Sequence, residues 1–193
     1  MRRHVAAALC SAALGAIAVS ASSLAIAQQR AAKAAGDQQI RTSIKDVMES
    51  IIDPSADVLW TAAGAIIDQQ GVQDLSPKTP EEWLNVRHAA VRIIEGANLL
   101  MMPGREAAPA GTKSEAPGVE LEPAEITALL KKERKSFNAF AKALQDIGLE
   151  ALRATEAQNV PLLEDIGGRM DSVCESCHQT FWYPLEKPAS TRK

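Results

Sequence analysis

The feature that most constrains this chain is a five-residue motif near its C-terminus, Cys174-Glu175-Ser176-Cys177-His178. At the spacing C-x-x-C-H, two thiols can add to the two vinyl groups of one haem while the following imidazole reaches its iron. In a helix, the second cysteine and the histidine lie three and four residues after the first cysteine, so all three share one face. The motif therefore predicts one covalently attached haem c, with Cys174 and Cys177 as thioether positions and His178 as the proximal iron ligand.

Three other interpretations of the motif remain open at this point. A zinc site needs a fourth ligand, and the adjacent Cys177 and His178 do not easily reach one small tetrahedral ion together. A thioredoxin-like redox pair would place C-x-x-C at a helix N-terminus after a strand, whereas this motif ends a helical pattern. A structural disulfide accounts for the two thiols and leaves the histidine unexplained.

The N-terminus has the form of a secretory signal peptide. A basic start, Arg2-Arg3, precedes an uncharged, apolar run over residues 5–27 that ends in Ala-Ile-Ala. These features predict cleavage after Ala27 and export to the periplasm, with no membrane association afterwards. The uncharged run is also long enough to span a bilayer, so an uncleaved anchor is the alternative.

Residues 28–193 are long enough for a single domain with its own core. Loss of the leader removes two arginines and no acidic residue, so the formal net charge changes from −3 to −5. This acidic balance argues against a nucleic-acid partner and suits docking to a basic redox partner protein. No paired carboxylates and no nucleophile with a base stand out around the motif, so we expect an electron carrier and not an enzyme.

Apolar residues recur at helical spacing along most of the chain. Residues 30–53 form an amphipathic pattern that Pro54 should end, and residues 55–70 read as a shorter helical segment that buries Trp60, Ile66 and Ile67. Thr79 and Pro80 begin a second strong helix. A long helix is predicted from Pro123, with its apolar row continuing to Ala151, and the last helix starts near Pro161. Residues 103–120 are rich in proline, glycine and alanine, which predicts a flexible loop.

No alternating strand pattern accompanies these helices. Four principal helices joined by short loops and one long loop are typical of an antiparallel four-helix bundle. We therefore predict an all-α fold, with the short segment at residues 55–70 and the long loop as additions to the bundle.

A helical bundle with a cleavable leader and C-x-x-C-H on its last helix resembles the class II cytochromes c, the cytochrome c′ family. Phe181, three residues after His178, matches the aromatic residue usual there and is expected to pack on the haem. Trp182 stands where the family typically has a basic residue, which is a departure from the pattern. The resemblance also implies that a homodimer is plausible.

The same resemblance assigns a role to Met48, because the family carries its distal residue on the first helix. If the Met48 sulfur binds the iron opposite His178, the haem is six-coordinate and low-spin, and the soft thioether raises its reduction potential. This arrangement resembles the Met-ligated branch of the family and implies a periplasmic monohaem electron carrier. If Met48 only packs in the core, the iron is five-coordinate and binds nitric oxide or carbon monoxide, which is the alternative function.

Overall fold

The computed structural model describes residues 39–184, so the leader, its cleavage point after Ala27 and the start of the first predicted helix lie outside the described residues. The chain divides at Arg41 into two units, and every element named below belongs to the second, Thr42–Lys193. The described part is mostly helical and contains one small antiparallel sheet. In chain order its elements are α1 (Ile44–Val47), a π-helical turn (Met48–Ile52), α2 (Asp53–Thr61), β1 (Ala65–Asp68), β2 (Gly71–Asp74), α3 (Pro80–Met101), α4 (Pro123–Lys132), α5 (Arg134–Glu156) and α6 (Val160–Phe181).

The first helical run does not end at Pro54, so that prediction is wrong. Ser43 caps α1 with a reciprocal pair of hydrogen bonds to Asp46, and the chain then continues through the π-helical turn directly into α2. In this turn the Asp53 N–H donates to the Met48 carbonyl, five residues back. A proline lacks an N–H and its ring clashes with the preceding turn, so the wider turn lets the chain pass Pro54 without breaking.

The segment at residues 55–70 is only partly helical, which corrects the all-α prediction. Helix α2 ends at Thr61, and β1 and β2 then form a hairpin in which Ile67 pairs with Val72. The side chain of Ile67 is 80% exposed, and Ile66 and Trp60 are exposed as well, so the predicted burial of these three residues is wrong. β-Branched residues on both sides of a turn favour a hairpin over a continued helix.

The second half of the chain follows its predicted helix starts. Thr79 caps α3 in a capping box with Glu82, as expected, and α4 begins at Pro123. The long helix predicted from Pro123 is however interrupted at Glu133, whose backbone is not helical, so that α4 and α5 are separate. Immediately after the break, the Arg134 guanidinium donates to backbone carbonyls at the end of α3.

The loop predicted at residues 103–120 is irregular, but it is packed against the helices. Ala107 is buried, and so is Arg105, which donates hydrogen bonds to the backbone of Leu99 and Thr42. The backbone N–H groups of Ile44 and Lys45 donate to this loop at 2.9 Å each. The loop is therefore joined to the beginning of the helical run, which its composition alone did not indicate.

The helices bury one contiguous apolar core. Helix α3 packs most extensively on α5, α5 packs on α6, and α2 covers α3 and touches α6. Gly148 lies where α5 approaches α3: an added Cβ atom would be 2.9 Å from side-chain carbons of Ile93 and Ile94. Within residues 39–184, no helix combines the length and the apolar character that a membrane crossing requires.

Substituting Gly148→Ala should therefore destabilise the protein. Overpacking a core costs about 1–3 kcal/mol, which outweighs the gain of about 1 kcal/mol from replacing a helical glycine with alanine. We expect a lower urea midpoint with an unchanged slope. The matched control is Gly168→Ala in α6, because a Cβ atom there meets nothing within 4 Å. That variant should be as stable as the parent or more so, and equal stability of both variants would contradict the close packing of α3 and α5.

Candidate functional site

One apolar cleft brings together every residue that the sequence singled out for cofactor binding. Its interior volume is about 80 Å³, well below the roughly 300–1,000 Å³ usual for small-molecule and cofactor sites, so the walls would have to move apart to hold a ligand as large as haem. Its walls are formed by Ile44, Met48, Leu100, Ala107, Ile126, Leu130, Phe137, Phe140, Ala141, Leu144, Val173, Cys174, Cys177, His178, Phe181 and Trp182.

The motif occupies the last two turns of α6, and the helix is regular up to that point. Asn159 caps its start by accepting a hydrogen bond from the Leu162 N–H at 3.1 Å. The two cysteines and His178 are partly buried against the cleft, whereas Glu175 and Ser176 between them are exposed. The helical periodicity therefore turns both thiols and the imidazole towards one apolar space.

Both thiols are held in their neutral form by the cleft. Burial raises the pKa of Cys174 to about 11, and the nearby carboxylates Asp171 and Asp53 add to this effect. Burial also raises the pKa of Cys177 to about 12. Desolvation penalises the thiolate, so the folded chain without a cofactor keeps these sulfurs protonated and weakly nucleophilic.

An aromatic cluster forms the floor of the cleft beneath the motif. Phe181 is buried and meets Phe137 edge-to-face, with ring centroids 5.6 Å apart. It meets Phe140 in the same way at 6.1 Å. These contacts tie the end of α6 to α5 and give the cleft flat apolar surfaces suited to a planar ligand.

Two further aromatic residues lie beside His178. The Trp182 and Tyr183 rings have centroids 6.5 and 6.0 Å from that of the imidazole. The Tyr183 hydroxyl donates to Glu175 at 2.7 Å, and burial together with this hydrogen bond raises the pKa of Tyr183 to about 12. Two aromatic rings thus lie near the imidazole at the C-terminal end of α6.

Met48 reaches the same cleft from the other end of the chain. It is partly buried and begins the π-helical turn. Such turns occur as single insertions in α-helices, frequently at functional sites. The sequence feature that could have indicated this π-helical turn is Pro54, because it lies where helical spacing continues on both sides.

The wall contributed by the long loop was not anticipated from the sequence. Ala107 lines the cleft, and the Leu121 N–H donates to the Trp182 carbonyl at 2.9 Å, which joins the end of the loop region to the end of α6. Three other large aromatic or sulfur-containing side chains, Trp60, Trp83 and Met101, do not line the cleft.

The described residues also bear on the competing interpretations of the motif. Cys174 and Cys177 are free thiols and are not joined in a disulfide. Between residues 39 and 184, no cluster of three or more histidine, cysteine, aspartate or glutamate side chains has the arrangement of a metal-binding group. No protein-family model, curated protein or solved structure gives a significant match to this chain.

The raised pKa values predict low thiol reactivity in the folded, cofactor-free protein. At pH 8, a rise from the ordinary value of 9.0 to about 11 reduces the thiolate fraction roughly 100-fold. We expect iodoacetamide to alkylate Cys174 and Cys177 at least tenfold more slowly in the native protein than in 8 M urea, as measured by mass spectrometry. Equal rates in the two conditions would show that the thiols are not desolvated.

Proposed function

We propose that this protein is an exported c-type cytochrome that carries single electrons on one covalently attached haem. The observation that carries the proposal is the apolar cleft, which gathers Cys174, Cys177, His178 and Met48 although Met48 is far from the others in sequence. A methionine and a C-x-x-C-H motif that line one cleft would supply both attachment points and two iron ligands of different softness.

The donor set and the apolar walls of the cleft suit haem c, and the cleft would have to widen from its present interior volume of about 80 Å³ to hold it. The thiols of Cys174 and Cys177 would form the two thioether bonds, and the Phe181 cluster would pack against the apolar macrocycle. When bound, the haem iron supplies the one-electron redox chemistry. The chain itself would attach the group, orient it and limit the access of water, because the cleft walls are almost entirely apolar side chains.

His178 and Met48 would have different tasks in this site. The aromatic rings of Trp182 and Tyr183 lie near His178, and His178 would be the proximal imidazole ligand. The Met48 thioether would be a soft ligand, which favours the reduced iron and a higher reduction potential. Met48 is the first residue of the π-helical turn, and its carbonyl accepts the Asp53 N–H.

The packing of the helices supports the finer fold that the resemblance implies. The run from α1 to α2, helix α3, helices α4 and α5 together, and helix α6 would be the four members of an antiparallel bundle of the cytochrome c′ kind. The hairpin and the packed loop are additions to that bundle. Export to the periplasm and exchange of electrons with partner proteins belong to the same proposal.

The decisive test compares Met48→Leu with Met101→Leu in the exported, haem-loaded protein. Thioether ligation of haem iron generally gives the oxidised protein a weak far-red absorption band. Leucine conserves volume and removes the thioether, so we expect Met48→Leu to lack this band and to bind carbon monoxide when reduced. Met101 is also partly buried against the core but lies outside the cleft. Its variant should keep the parent spectrum and resist the gas.

Other outcomes would redirect or remove the proposal. If the unsubstituted protein already binds carbon monoxide and has a high-spin spectrum, the iron has an open distal side and the gas-binding alternative is favoured. If the exported protein carries no covalent mass of one haem that survives acid extraction, both haem functions are wrong. Loss of that mass in the double variant with Cys174→Ala and Cys177→Ala is the matching positive result.

A further inference from the structure

A second, polar groove opens beside the apolar cleft and shares three of its residues. Met48, His178 and Trp182 line both spaces, so the groove reaches the residues proposed to hold the iron. We call this second space the acidic groove. Its other lining residues are Lys45, Glu49, Asp53, Glu115, Glu120 and Tyr183.

The charge in the acidic groove is strongly one-sided. It has four carboxylates and one ammonium group, that of Lys45. Lys45 is already paired, with Glu49 at 3.1 Å and with Glu115, which leaves a net excess of negative charge in a concave surface. Glu49 and Asp53 are both exposed, so their charges face solvent at the mouth. Clefts lined by one sign of charge focus the field and raise the local concentration of the opposite charge.

The carboxylates are close enough to influence one another. Desolvation raises the pKa of Asp53, His178 opposes this rise, and the negative charges of Asp57 and Glu49 add to it. On the far side of the groove, a hydrogen bond from the Trp182 side chain and one from the Ala116 backbone lower the pKa of Glu120 and keep it ionised. The negative potential therefore extends across the groove next to both proposed axial ligands.

We propose that the acidic groove is the docking surface for a basic electron-transfer protein. This inference rests on the proposed function and names the chemistry of its partner. Positive side chains of the partner would pair with Glu49, Asp53 and Glu120, bringing its redox centre towards the Met48 and His178 side of this protein. One electron passes from the reduced protein to the oxidised partner, with no bond made and no proton moved. Exposed charges of this kind act mainly on the association rate and on its salt dependence.

The test uses two oxidants of opposite charge on the reduced holoprotein, the tris(phenanthroline)cobalt(III) cation and the hexacyanoferrate(III) anion. The groove variant combines Glu49→Gln with Asp53→Asn, and the control combines Glu156→Gln with Glu164→Gln. Both control residues are exposed, and Glu164 is about 21 Å along α6 from His178 at 1.5 Å per residue. Both variants change the net charge by the same amount.

We expect the groove variant to slow oxidation by the cobalt cation about three- to tenfold at low salt and to accelerate oxidation by the anion, with the difference vanishing in 1 M salt. The control variant should change both rates much less. Equal effects of the two variants would show that only the overall charge matters and would overturn the proposal. Spectra and haem content, recorded first, separate this result from failure of the haem site itself.

Binding at the acidic groove can also be measured without electron transfer, by following NMR signals during a peptide titration. In the reduced protein, titration with a pentalysine peptide should shift the indole N–H signal of Trp182 in a salt-sensitive way. The signals of Trp60 and Trp83, which do not line the groove, should remain in place and serve as internal controls. Uniform shifts of all three signals, or none at Trp182, would assign peptide binding to another surface and contradict the proposal.

Discussion

The contact of Phe181 with Phe137 and Phe140 is the interaction on which the rest of the site depends. Phe181 is buried at the last position of α6, and its two edge-to-face contacts hold the end of that helix on α5. The motif lies in the two turns just before it, so the positions of both thiols and of the imidazole follow from this anchor. Aromatic pairs of this kind contribute about 0.5–1.5 kcal/mol beyond the area they bury, and their geometry also resists rotation of the helix.

The fold was predictable wherever a strong helical period and a capping signal coincided. Thr79, Pro80 and Pro123 marked helix starts that the structure confirms, and the apolar faces of α3 and α5 are indeed buried. The wrong predictions lie where the local backbone conformation departs from what the helical spacing of apolar residues suggests. Pro54 is accommodated by a π-helical turn, Glu133 adopts a backbone that breaks a helix with continuous periodicity, and Ile66 and Ile67 form an exposed hairpin strand.

The sequence predicted the key residues of the candidate site better than it predicted the residues around them. The spacing of C-x-x-C-H is itself enough to suggest which side chains act together. In the structure, Cys174, Cys177 and His178 line one cleft with Met48. The walls from the loop at Ala107 and the hydrogen bond between Leu121 and Trp182 had no periodic signal, because irregular backbone is held by individual contacts. The desolvation that keeps the thiols neutral likewise depends on neighbours that no local pattern identifies.

The loop between α3 and α4 has a consequence for how the chain reaches its native state. It is hydrogen-bonded to Ile44 and Lys45 at one end of the described chain, and Leu121 just beyond it is bonded to Trp182 at the other. These are contacts of large sequence separation, which form slowly because chain closure must precede them. The apolar cleft can therefore close only after the last helix has been synthesised and has left the ribosome. Until then, Cys174 and Cys177 lack the burial that keeps their thiols neutral in the native cleft.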